Sequence, residues 1–165
     1  MLLFAGSTLI AQQKDTAYLK AKIDPGRAGI FVDGKYVGPA ANFGVSRKYA
    51  LPPGDHEIKL VEPRYEEFTT KVTLQAGKTA TISQALKPLP PAKGPFGKLR
   101  TESADKFAAV YVNERFCGHA GEFNNPVQGL LLPAGEYEVR IQPVSGGNPV
   151  TQKIRIEAGK TVIVK

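Results

Sequence analysis

The sequence predicts an all-β protein built as two tandem small antiparallel β-sandwich modules joined by a Pro-rich linker, and three observations carry that expectation. The chain repeats itself about eighty residues on, with the landmarks in the same order. Gly29-Ile30-Phe31-Val32-Asp33-Gly34-Lys35-Tyr36-Val37-Gly38 returns as Ala109-Val110-Tyr111-Val112-Asn113-Glu114-Arg115-Phe116-Cys117-Gly118. Leu51-Pro52-Pro53-Gly54-Asp55-His56 returns as Leu132-Pro133-Ala134-Gly135-Glu136-Tyr137, and Gln75-Ala76-Gly77-Lys78-Thr79 as Glu157-Ala158-Gly159-Lys160-Thr161. Val, Ile, Thr and Tyr fill short runs between frequent Gly and Pro, a composition of strands and turns. No stretch sustains the 3.6-residue apolar period of an amphipathic helix.

The repeat divides the 165 residues into a leader 1–17, a first module 18–87, a linker 88–97 and a second, divergent module 98–165. Units of roughly seventy residues bury only about 60% of the surface their unfolded chains expose, so each has a small core. Within the leader, Met1 to Ala11 is an apolar run too short to span a bilayer as a helix. It reads as a secretory signal peptide core cleaved at Ala11, with Gln12-Gln13-Lys14-Asp15 as a polar mature start, although no Lys or Arg precedes it. Nothing later is long and apolar enough for a transmembrane helix, so the expected product is exported to the periplasm or cell surface with no transmembrane segment. The lone Cys117 has no internal disulfide partner, and its counterpart is Val37, so it reads as a small buried hydrophobe.

In the first copy, Leu19 to Ile23 alternates as a strand, and Pro25-Gly26-Arg27-Ala28-Gly29 turns the chain. Asp33-Gly34 between Ile30-Phe31-Val32 and Lys35-Tyr36-Val37 is a strong hairpin signal, because both turn residues take positive φ. The second copy carries Asn113-Glu114 there; Glu accepts the left-handed region less readily, so a looser turn or a shifted register is expected. After Gly38-Pro39 and a loop, a short run ends at Leu51, and Pro52-Pro53-Gly54 turns again. His56, Ile58 and Leu60 share one face of the next strand, and Glu57 and Lys59 the other. Phe68 to Leu74 and Thr79 to Leu86 follow, separated by a tight turn at Gln75-Ala76-Gly77-Lys78. Six or seven short strands per copy fit a small sandwich. Four prolines between Lys87 and Gly97 favour an extended, semi-rigid segment that holds the modules apart.

Pro25-Gly26-Arg27-Ala28-Gly29-Ile30-Phe31-Val32-Asp33-Gly34, then Gly38-Pro39, then Leu51-Pro52-Pro53-Gly54-Asp55-His56 resemble the PEGA domain family. Copy one has Pro-Gly-Arg-Ala in place of the namesake Pro-Glu-Gly-Ala, and copy two lacks both the proline and the Asp-Gly. The resemblance implies an extracytoplasmic β-sandwich module with no catalysis of its own. It also gives Pro25, Asp33, Gly34, Gly38, Pro53, Gly54, Gly118 and Gly135 a role as turn formers of the motif.

Two copies allow an internal test of chemistry, because machinery that both need should not change type between them. His56 becomes Tyr137, and His119 stands against Pro39, so no converging set of three or four ligands is expected and no metal or cofactor is assigned. No Ser sits in a Gly-x-Ser-x-Gly elbow, and Cys117 pairs with a strand position, so no catalytic residue is assigned either. Gly-Lys-Thr at 77–79 and 159–161 lacks the upstream glycine of a phosphate loop, where Val72 and Ile154 stand, and reads as hairpin chemistry. Glu62, Glu66 and Glu67 flank Arg64 and Tyr65; with Gln142 in place of Glu62, they read as an exposed charged turn rather than an acid–base pair.

The net charge of +7 is spread among interleaved acids, with Arg47-Lys48 an isolated adjacent basic pair, so no stripe for a phosphate backbone appears and no nucleic acid is expected. Phe31 and Tyr111, Tyr36 and Phe116, and Phe43 and Phe123 match pairwise and are expected inside each sandwich. Tyr49 and Tyr65 have no aromatic counterpart, and with Arg47, Lys48 and Arg64 they are the candidate binding residues. The reading is a non-enzymatic structural or protein-binding module of the cell envelope, contacting an envelope protein through loops or sheet edges. The alternative is an accessory that binds cell-wall polysaccharide, which exposed paired aromatics would favour and buried ones would weaken.

Overall fold

In the computed structural model, which describes residues 15–165, each copy supplies seven strands that fold as two facing sheets. The predicted signal segment lies outside the described residues. Copy one contributes β1 (Ala17–Asp24), β2 (Gly29–Val32), β3 (Lys35–Pro39), β4 (Tyr49–Leu51), β5 (Gly54–Val61), β6 (Phe68–Leu74) and β7 (Thr79–Ala85). Copy two contributes β8 (Phe96–Thr101), β9 (Ala109–Val112), β10 (Arg115–His119), β11 (Leu130–Pro133), β12 (Gly135–Gln142), β13 (Val150–Ile156) and β14 (Thr161–Val164). The four-stranded sheets, β3-β2-β5-β6 and β10-β9-β12-β13, are antiparallel throughout. The three-stranded sheets, β4-β1-β7 and β11-β8-β14, each join their first and last strands in parallel, which alternation of side chains along a strand does not reveal.

Alternation decides what each sheet buries. Leu19, Ala21 and Ile23 of β1 meet Ile30 and Val32 of β2, Ile58 and Leu60 of β5, and Ile82 of β7 in one core, with Phe43 from a helical turn at Ala40–Phe43. Leu99, Val110, Val112, Val139, Ile141, Ile154, Ile156, Val164 and Phe123 repeat that core in copy two.

The second hairpin is neither looser nor shifted. Asp33 and Gly34 have φ of 49° and 80°, and Asn113 and Glu114 have 47° and 62°. Val32 faces Lys35 and Phe31 faces Tyr36, just as Val112 faces Arg115 and Tyr111 faces Phe116. Local hydrogen bonds hold Glu114 in a left-handed conformation it would otherwise avoid. The Asn113 carboxamide oxygen accepts the Glu138 N–H at 2.9 Å, as the Asp33 carboxylate accepts that of Glu57, and Arg140 donates to Glu114 at 2.9 Å. One extra residue, Val37 or Cys117, then forms a bulge in each hairpin before Gly38 or Gly118.

The modules are not held apart. Phe31, Tyr36, Val61 and Gly29 lie on the outer face of the first four-stranded sheet, because Ile30 and Val32 occupy the inner one. They meet Ala109, Tyr111 and Phe116 of the second copy in a third apolar cluster. Phe31 and Phe116 pack edge-to-face with centroids 5.3 Å apart, and Tyr36 lies 5.1 Å from Phe116. Two of the three matched aromatic pairs therefore form a seam between the copies and not the sandwich interiors, while Phe43 and Phe123 are in the interiors as expected. The same hairpin face is used on both sides, an isologous contact made within one chain. Residues 87–95 are exposed, and their start follows copy one: Leu89 donates to the Arg64 carbonyl and Glu66 to that of Lys87, both at 2.8 Å.

Candidate functional site

The five predicted binding residues fall into two sets. Arg47 is exposed, and Lys48 places its ammonium 3.5 Å above the Tyr18 ring. Tyr49, the first residue of β4, is half-buried and stacks edge-to-face on Phe43 at 5.6 Å, so most of its ring belongs to the core margin. Arg64 and Tyr65 lie in the turn after β5. Among the described residues, no hydrogen bond or ion pair joins the two sets.

The second set is more than an exposed turn, and this corrects the sequence reading. Glu62 is buried, with 3% of its surface exposed. Its Oε1 accepts the Nε–H groups of Arg27 at 3.0 Å and Arg64 at 2.8 Å together with an Nη2–H of Arg64 at 2.5 Å, and its Oε2 accepts the Arg64 backbone N–H at 2.8 Å. Burial alone would raise the Glu62 carboxyl, but the hydrogen bonds from Arg64 and Arg27 hold it below the usual carboxylate range. Tyr65 packs on the first core, with the Arg27 guanidinium 5.9 Å from its ring centre. Glu66 and Glu67 are exposed and pair with Lys87 at 2.9 Å and Lys59 at 2.6 Å. Strand register also revises the alignment: Val61 faces Gly29 as Gln142 faces Ala109, so Gln142 corresponds to Val61 and not to Glu62.

Sequence reasoning missed Arg27 and placed Glu62 on the surface. A signal was present: His56, Ile58 and Leu60 define the inward side of β5, and Glu62 continues that two-residue period.

His56 is held from both sides, by Asp33 Oδ2 at 2.7 Å from Nδ1 and by the Pro52 carbonyl at 2.9 Å from Nε2. Two acceptors favour the imidazolium, so the hydrogen bond to Asp33 raises His56 and the same bond lowers Asp33. Copy two replaces this pair with neutral groups: the Tyr137 hydroxyl donates to the Pro133 carbonyl at 3.0 Å, and Asn113 stands for Asp33. The role shared by the copies is therefore pinning the turn. Lys78 and Lys160 close tight turns onto the Gln75 and Glu157 carbonyls at 3.0 and 3.1 Å, but these turns are not the hairpins the sequence predicts: β6 and β7, like β13 and β14, belong to different sheets, so each Gly-Lys-Thr turn carries the chain from one sheet to the other.

Cys117 is half-buried against the second core, and burial pushes its thiol up to about 11. Among the described residues, no three His, Cys, Asp or Glu side chains gather as metal ligands, and no helix is long and apolar enough to cross a membrane. An open cleft of about 430 Å³ runs beside the seam, floored by Phe31, Tyr111 and Phe116 and walled by Lys59, Glu67 and Glu114. Its charges are largely spoken for: Lys59 pairs with Glu67, and Arg140 covers Tyr111 at 4.1 Å while binding Glu114.

Residues 20–90 match the PEGA domain family. The resemblance read from Pro25 to His56 thus holds for the first copy, and the second copy lies beyond the matched residues. No curated protein matches the chain. Among solved structures, the chain is similar to the Bacillus anthracis TIE protein at 16% identity and a TM-score of 0.33, over 92% of this chain and 33% of that one. The chain spans about a third of the length of that structure.

Proposed function

We propose that this chain, whose residues 20–90 match the PEGA domain family, is a non-enzymatic, extracytoplasmic structural or protein-binding module of the cell envelope. The observation that carries the reading is a pair of long edge strands that, among the described residues, have one side unpaired. β6 and β13 end their four-stranded sheets, are seven residues long, and have one strand neighbour each. An extended segment of a partner adds to such an edge through main-chain hydrogen bonds. Lys71 and Lys153 occupy corresponding places on the two edges, opposite Glu57 and Glu138, and discourage edge-to-edge self-association. The polysaccharide alternative has less support, because Tyr36 and Phe116 are buried in the seam and Tyr49 and Tyr65 rest on the core.

The test is retention of the chain on insoluble cell-wall polysaccharide at low and high salt, with albumin as control, beside capture of envelope extract on the immobilised chain. The reading expects no salt-resistant retention on polysaccharide, and capture that is lost in one of the variants Thr151→Pro and Gln152→Pro. Adjacent N–H groups of a strand point to opposite sides, so one of the two removes an outward donor. Salt-resistant retention on polysaccharide overturns the reading in favour of the alternative.

A further inference from the structure

We propose that the first copy carries an anion site, in which the guanidinium groups of Arg27 and Arg64, posed by the buried carboxylate of Glu62 beside the Tyr65 ring, grip a carboxylate or phosphate group of a larger ligand. The internal repeat separates this arrangement from simple turn-capping. In copy two, the turn after β12 is capped by one carboxylate, Asp105, which accepts the Phe107 N–H at 2.9 Å and the Val144 N–H at 3.0 Å. Among the described residues, no cation pairs with Asp105. Glu62 does the corresponding work in copy one by accepting the Arg64 N–H, so the cap itself requires neither guanidinium. Two arginines on one carboxylate are a surplus, and Phe107 stands where Arg27 would be in copy two.

Two of the neighbouring acids are engaged elsewhere. Glu66 and Glu67 are paired with Lys87 and Lys59. Glu122 of the second copy is close enough to Arg27 to offset part of its charge, which leaves Arg64 the more open of the two cations. Both guanidiniums remain accessible, with side-chain exposures of 38% for Arg27 and 64% for Arg64. Each carries five N–H donors in a planar fork, and Glu62 takes one from Arg27 and two side-chain donors from Arg64. The remaining donors, held in orientation by a buried anchor, suit the paired oxygens of a carboxylate or phosphate. Tyr65 adds an apolar flank for whatever carries that group.

This site deepens the reading of the chain as a binding module, and its test is separate from the edge-strand test. The side-chain Nε–Hε resonances of the full chain are followed by NMR during titration with acetate, with inorganic phosphate, and with poly-L-glutamate at fixed ionic strength. The expected result is saturable shifts confined to Arg27 and Arg64, with Arg155 as the unmoved reference. Arg27→Gln and Arg64→Gln weaken binding about tenfold, the scale of one charge-assisted hydrogen bond. Arg27→Lys, which keeps the charge and the contact to Glu62 but loses the fork, also weakens it. Acetate and phosphate arms distinguish the two sources of the anion. Shifts equal to those at Arg155, no shifts with any probe, or unchanged affinity in both Gln variants overturn the proposal. Should the site titrate while envelope extract is not captured, the anion site stands and the edge-pairing reading falls; the converse separates them the other way.

Discussion

A Cβ on Gly29 would lie 2.6 Å from Cζ of Phe116, so the bare backbone of one copy is the seat of the other copy's ring. Phe116→Ala empties that seat. The variant is expected to cost about 2–4 kcal/mol and to uncouple the copies, so that thermal unfolding of the full chain separates into two transitions. Gly29→Val fills the seat from the other side and forces the ring away, with a cost of about 1–3 kcal/mol. A single unshifted transition in both variants, read by calorimetry, would show that the seam carries no stability.

The Asp33–His56 pair makes the first copy's stability pH-dependent in a way the second copy's is not. His56 is raised above its ordinary 6.5, so its contribution is complete below that pH and is lost as pH rises through the folded value. Asp33 is lowered from 3.8, so its contribution is complete above that pH and is lost as pH falls through the folded value. Both are present between the two. The double variant Asp33→Asn, His56→Tyr installs the neutral residues of copy two and is expected to lose the pair's contribution within that window and to flatten the fall of the urea midpoint on either side of it, above pH 6.5 and below pH 3.8. A wild-type profile already flat from pH 4 to 8 refutes the pairing.

Glu62→Ala leaves the Arg64 N–H and two guanidiniums without their buried acceptor. The expected loss is about 2–3 kcal/mol, measured by denaturant unfolding at neutral pH. Because the Glu62 carboxyl is held below its usual range, wild type and variant should converge as acid protonates Glu62 below pH 4.5.

Glu114 at φ 62° is held left-handed at some cost, whereas Gly34 takes the same corner freely. Glu114→Gly is expected to raise stability by about 1 kcal/mol despite losing the exposed pair with Arg140, and Gly34→Glu to lower it by a similar amount. Urea midpoints of the two variants should move in opposite directions.

With its thiol pushed up to about 11, native Cys117 should react with iodoacetamide at pH 8 on the order of a hundredfold slower than in the denatured chain. Equal rates would place it in the open.

The parts of the fold that depend on local chemistry could be read from residues alone. Asp33-Gly34 set a hairpin, Pro52-Pro53-Gly54 set a turn, and the eighty-residue recurrence set the number of units. What covers an outward face could not be read that way. Ile30 and Val32 already assign Phe31 to the outer side, but period two says nothing of a second sheet waiting there, so Phe31 and Tyr36 were expected in the core and lie in the seam. Likewise, the direction of β7 beside β1 depends on the path of the whole module. Of the candidate site, Arg64 and Tyr65 were legible as unmatched residues by a turn. Arg27 was hidden because it reaches Glu62 from 35 positions away, and the misaligned Gln142 disguised Glu62 as replaceable.

The seam consists of a few rings, three small apolar side chains and the bare backbone of Gly29. Tethering changes what such a contact must achieve. With a connection of about ten residues, one half meets the other at an effective concentration on the order of millimolar, so a pairing too weak to assemble freely at cellular dilution is populated continuously within one polypeptide. Cutting the chain between Pro90 and Pro95, beyond the bonds that Lys87 and Leu89 make to copy one, should therefore leave two intact halves that drift apart on dilution, which makes chain continuity itself a component of the assembled form.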